Sequence, residues 1–199
     1  MEMTLDREQI KGFARKAAIL LAGLFFILAL YNLALQRMAL TPEDGRTLIE
    51  IARSEMEGRP YSGGLSPRLF KMSPVFVSVY RDGRRVACVG YTKALFPLYE
   101  SVTHLARGLG HEGEGDYQIV ITVFSGYEPL NRTEGVPEGR GILVRREGFE
   151  GVVLPFTFQE QNLTDEEALL LAAQKAGFDN YTWEDFQAYT FEAQVFREE

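Results

Sequence analysis

An uncharged apolar run from Ala17 to Leu35, AAILLAGLFFILALYNLAL, constrains this chain more than any other feature. Asn32 is its only strongly polar side chain. At about 1.5 Å per residue, a helix of that length comes close to crossing the ~30 Å hydrocarbon core of a bilayer. A helix buried in a soluble core is usually shorter and keeps a polar face, which this run lacks. The run therefore predicts a transmembrane helix. A cleaved leader would have a shorter apolar region of about 7–15 residues, ending in small residues at A-x-A-like spacing. The exit here, Leu33-Ala34-Leu35-Gln36-Arg37-Met38-Ala39, offers no such site. The expectation is an uncleaved, single-pass signal anchor.

Charge gives the orientation. Arg7, Lys11, Arg15 and Lys16 precede the span, and only Arg37 lies close on its far side. Basic residues stay on the cytoplasmic side, so the N-terminus is expected in the cytoplasm and the rest of the chain outside it, at the plasma or inner membrane. Setting aside those four cations and Glu2, Asp6 and Glu8 leaves 17 basic and 25 acidic groups downstream, a net of −8. A domain so acidic repels a phosphate backbone, so nucleic acid is not an expected partner. One cysteine, Cys88, excludes an intrachain disulfide and any zinc site built on several thiolates.

The chain divides into a tail (1–16), the span (17–35), a linker (36–45) and a soluble domain (46–197). Thr41-Pro42-Glu43-Asp44 carries a capping box, and Leu48, Ile49, Ala52 and Met56 continue it as a helix that Gly58 ends. Residues 59–72 read as a loop. Val75 to Tyr80 and Arg84 to Gly90 form a hairpin about Asp82-Gly83, a pair suited to a tight turn. A helix is predicted over Leu95 to Leu109, a strand over Tyr117 to Phe124, and a second hairpin over Ile142 to Arg146 and Phe149 to Leu154. Thr164 to Glu167 is another capping box, opening a helix through Ala176. Tyr189 to Phe196 closes the chain as one alternating strand. Hairpin-joined strands mixed with helices give an α+β class, mostly antiparallel sheet with packed helices, behind one transmembrane helix.

The order Val75-Phe76-Val77, Asp82-Gly83, Ala87-Cys88-Val89-Gly90 and Pro97-Leu98 resembles that of the AMMECR domain family. So do Gly141-Ile142-Leu143-Val144, Gly151-Val152-Val153-Leu154-Pro155, Lys175-Ala176-Gly177, Trp183 and the terminal Phe191-Glu192-Ala193 with Val195-Phe196. The resemblance covers roughly residues 46 to 197 and implies a domain of two packed parts. It implies no settled activity, although relatives are associated with a radical-SAM protein and a Memo-type partner. The family's Leu-Arg-Gly-Cys-Ile-Gly is here Arg85-Val86-Ala87-Cys88-Val89-Gly90, with Val86 at the arginine and Ala87 at the first glycine. A membrane anchor is a further departure.

Cys88 is the residue best suited to act as a nucleophile, provided that a base or cation stands near; His104 and Lys93 are available. The simpler reading is an inert cysteine packed in the sheet. A cleft is expected around Cys88, Gly90, Tyr91 and Pro97. His104 and His111 with Glu112, Glu114 and Asp116 suggest a metal set, but an acidic, Gly-rich turn is more simply a solvated one, so no metal is expected. Gly108-x-Gly110 opens no helix after a strand, and no cofactor is expected. A membrane-held binding or accessory module, with a protein partner, is the favoured reading. The alternatives are an enzyme with Cys88 as nucleophile and His104 as base, and a purely structural domain.

Overall fold

A computed structural model describes residues 7–110, 115–131, 135–178 and 186–198. The chain forms two compact units, Met1–Ala39 and Leu40–Glu199. The first is a single helix, α1 (Arg7–Arg37), which extends the predicted span at both ends. Its apolar side chains, Leu20, Phe25 and Ile27 among them, are exposed along the helix. From Lys11 to Arg37 it is long and apolar enough to cross a membrane.

The second unit opens with α2 (Pro42–Met56), whose first turn follows Thr41 as the capping box anticipates. The Thr41 hydroxyl accepts from the Asp44 amide, and the Asp44 carboxylate accepts from the Thr41 amide at 2.8 Å. This is the reciprocal cap anticipated from the sequence. The 59–72 segment is not wholly irregular, since Pro67–Phe70 forms a 3-10 turn. The strands are β1 (Val75–Arg81), β2 (Arg84–Tyr91), β3 (Gln118–Phe124), β4 (Glu128–Pro129), β5 (Gly141–Arg146), β6 (Phe149–Val153), β7 (Gln187–Phe191) and β8 (Ala193–Arg197). The remaining helices are α3 (Leu98–Gly108), α4 (Pro155–Gln161) and α5 (Asp165–Lys175). Helix α3 starts later than expected because Pro97 stands at its N-cap. Residues 111–114, most of the predicted acidic turn, and Trp183 lie outside the described residues.

Two antiparallel four-stranded sheets result, in the orders β2-β1-β3-β8 and β4-β7-β5-β6. The predicted terminal strand over 189–196 is in fact two strands that part at Glu192. β7 pairs with β5, and β8 pairs with β3 in the other sheet. Alternation continues through both, so the period could not reveal the change of sheet. Side-chain alternation also sorts the core into layers. Val75, Val77, Val79, Ile119 and Ile121 pack against Leu48, Ile51, Val102 and Leu105 of α2 and α3. The opposite face of that sheet, with Tyr80, Val120 and Phe124, packs against Leu143, Val152 and Phe191 of the second sheet. Ile142, Val144 and Val153 turn away from it and pack on Ala168, Ala172 and Ala173 of α5. The layers run helices, sheet, sheet, helix.

Both hairpins turn as expected. Asp82 and Gly83 sit at φ 51° and 72°, and Glu147 and Gly148 at 50° and 92°. Left-handed residues at both central positions match the twist of the flanking strands.

Candidate functional site

The outer strands β2 and β6 belong to different sheets, and a cleft of about 620 Å³ opens where they diverge. Alternation along β2 decides what faces it. Ala87, Val89 and Tyr91 point to the layer under α2 and α3. Cys88 and Gly90 point the other way and line the cleft. Cys88 is exposed, and the buried Ser78 hydroxyl donates to its sulfur at 3.3 Å. Phe76 lies against Gly90 so closely that a Cβ there would overlap its ring.

A bulge brings a cation beside the thiol. In the β1–β2 ladder Val79 faces Ala87 but Tyr80 faces Arg85, so Val86 is the residue left over. Were Val86 paired in regular register, Arg85, three residues from Cys88, would point away from it. Left unpaired, Val86 puts both on the cleft face, as bulges often re-aim side chains. Arg85 donates to the Thr157 hydroxyl at 3.1 Å, lies 3.9 Å from Glu160, and sits over the Phe156 ring at 5.6 Å. Glu160 in turn accepts from Tyr80 at 2.6 Å. Burial first, then this hydrogen bond and the Glu160 charge, hold the Tyr80 phenol well above its ordinary pKa.

Two further charges complete the walls. Glu150 accepts from Thr92, and from Arg145 at 2.6 Å, and lies 3.6 Å from Lys93. Burial pushes its pKa up, but the Thr92 and Arg145 hydrogen bonds and the Arg145 and Lys93 charges outweigh it and leave it below the ordinary value. Lys175, the last residue of α5, donates to the Val152 carbonyl at 3.0 Å. Desolvation, helped by the Arg85 charge, lowers its pKa, with the Cys88 thiol opposing.

The structure divides the residues singled out from the sequence. Cys88 and Gly90 are on the cleft. Tyr91 packs against the α2–α3 layer with its ring 6.0 Å from Phe96, and Pro97 caps α3 and bridges to Met72. His104 is exposed on α3 and meets Phe96 edge-on at 5.0 Å. Since α3 covers the face of the sheet that Cys88 turns away from, the Cys88–His104 pair of the alternative, enzymatic reading is not brought together. Arg85, Glu150 and Lys175 were not predicted at the site. Arg85 needed the bulge to be seen, and Lys175 stood only within a family landmark. Among the described residues no group of three or more His, Cys, Asp and Glu could hold a metal.

The AMMECR1 family profile matches residues 46–196. The chain belongs to the AMMECR1 family. A protein of Methanopyrus kandleri is 30% identical over 80% of this chain and 91% of its own length. One from Thermococcus onnurineus is 26% identical over 79% and 91%. The crystal structure of an uncharacterised Pyrococcus horikoshii protein superposes with a TM-score of 0.71 at 22% identity, covering 80% of this chain and 94% of that one. It is similar in fold, an α+β domain of antiparallel sheets and packed helices.

Proposed function

We propose that this AMMECR1 protein is a single-pass membrane protein whose N-terminus is cytoplasmic and whose domain lies outside the cytoplasm. There it acts as a binding or accessory module through the β2–β6 cleft. The observation that carries the reading is the cleft itself, an open space lined by Cys88, Arg85, Lys93, Glu150 and Lys175, from which His104, the base of the alternative enzymatic reading, is absent. The apolar, exposed α1 and its basic N-terminal flank support the anchor and its orientation. An enzymatic Cys88 would have to draw on the lysines that share its cleft, Lys93 and Lys175, rather than on His104.

Two measurements test this. A membrane-impermeant maleimide should label Cys88 in intact cells, or in spheroplasts if the organism has an outer envelope. Labelling only after lysis overturns the orientation. A thiol-anchored photo-crosslinker on Cys88 should give one discrete adduct with a partner, lost on prior alkylation. Turnover of a metabolite by the purified chain, abolished in Cys88→Ser, would replace the binding reading with the enzymatic one.

A further inference from the structure

The geometry points to an anionic ligand for this cleft: a small molecule or chain end whose carboxylate or phosphate is held between Arg85 and Lys175, beside Cys88. This rests on the cleft being the binding surface, and it adds the chemistry of what binds.

The inference begins with a contrast. The chain beyond residue 16 carries a net charge of −8, yet this cleft is lined by three cations, Arg85, Lys93 and Lys175, against a single carboxylate, Glu150. That carboxylate is already occupied. It takes hydrogen bonds from Thr92 and Arg145 and lies beside Lys93. Glu150 is thus outnumbered by its own two cations, Arg145 and Lys93, and leaves no negative charge over for Arg85 or Lys175. Arg85 meets Glu160 only at 3.9 Å, and its one described hydrogen bond, to Thr157, uses one of five guanidinium donors. Lys175 donates to a neutral carbonyl, and the charged groups acting on it are Arg85 and the Cys88 thiol.

Two cations thus face a shared, partly desolvated space with no carboxylate set between them. Like charges so placed disfavour one another; burial first, and then the Arg85 charge, lower the pKa of Lys175. An anion arriving there relieves the repulsion and finds donors already in place. The bulge at Val86 and the packing of Arg85 over Phe156 hold the guanidinium in position before a ligand arrives. A held fork of donors suits the planar carboxylate or the phosphate group.

Cys88, the only cysteine, reports on this field directly. With the full chain in detergent micelles, alkylation by anionic iodoacetate is compared with alkylation by neutral iodoacetamide. The ratio of the two rates should exceed that of N-acetylcysteine amide by roughly three- to tenfold, as expected for two cations near the thiol. It should fall at high salt. Arg85→Gln and Lys175→Gln should each bring it toward the free-thiol value, whereas His104→Gln, on the far side of the sheet, should not. A ratio equal to that of the free thiol, or unmoved by both variants, overturns the anion while leaving the cleft open. Resistance of Cys88 to both reagents overturns the cleft reading as well. Pyrophosphate and glutarate then serve as probes of source. Protection by one of them assigns phosphate or carboxylate. Protection by neither, or equally by neutral glutaramide, rejects the proposal.

Discussion

Replacing Gly151 by alanine tests how the far wall of the cleft is built. Gly151 lies in β6 under α5, and a methyl group there would overlap the Ala172 carbonyl oxygen and lie 2.8 Å from the Ala176 amide nitrogen. Both are backbone atoms of the helix and its cap, so no side-chain rotation relieves the clash. A carbon–oxygen contact needs about 3.3 Å, and the helix must withdraw by roughly an ångström or more. That withdrawal loosens Ala168, Ala172 and Ala173 from Ile142, Val144 and Val153, all fully buried. Overpacking of this kind typically costs about 1–3 kcal/mol, and a rigid backbone neighbour puts this case near 3 kcal/mol. The matched control is Gly108→Ala. Gly108 is the last residue of α3, and a methyl there meets nothing within 4 Å. The same exchange should therefore stabilise by about 0.4–1 kcal/mol. Urea unfolding of the full chain in micelles, followed by intrinsic fluorescence, measures both. A loss below about 1 kcal/mol for Gly151→Ala, or equal shifts for the two variants, refutes the reasoning, because the contrast rests on local space alone.

Other expectations are as direct. Gly90→Ala should drive the Phe76 ring off its 5.4 Å stack on Phe124 and into the cleft, slowing iodoacetamide alkylation of Cys88; an unchanged rate contradicts the close approach. Asp44→Ala removes the acceptor for Thr41 and Ser66 at the start of α2 and should cost about 2 kcal/mol in the same unfolding assay. Burial raises the Asp44 pKa, but the hydrogen bonds from Ser66 and Thr41 and the Arg68 charge outweigh it and hold it below the ordinary value. Its contribution is therefore complete above about pH 4 and is lost as pH falls below that. Wild type should lose stability across this acidic window faster than Asp44→Asn, and parallel curves would contradict the assignment.

Local chemistry made much of the fold legible. Thr41 and Thr164 each announce a helix through a capping box, and Asp82-Gly83 and Glu147-Gly148 announce hairpins, because each signal is complete within four residues. Helix α4 escaped notice. It has only seven residues and no side-chain cap, and it begins at Pro155 directly after a strand. The change of sheet at Glu192 escaped for a different reason: β7 and β8 share one alternating pattern, while their partners, β5 and β3, lie far away in sequence. Pairing is a property of the whole chain, and periodicity cannot report it.

The site divides along the same line. That Cys88 and Tyr91 would not share a face follows from strand alternation once β2 runs to Tyr91. That His104 belongs to the other side of the sheet depends on which face α3 covers, which no local signal states. The arginine is the sharpest case. From the sequence, Val86 stands where the family motif carries its arginine, which reads as loss of that charge. A single unpaired residue in the ladder reverses the conclusion, since the bulge spends Val86 and turns Arg85 toward Cys88. Substitution at one position of a motif therefore need not strip a charge from a cleft when backbone register turns the neighbouring side chain inward. Anion binding at the cleft, as proposed, turns on Arg85, and the iodoacetate preference of Cys88 tests it.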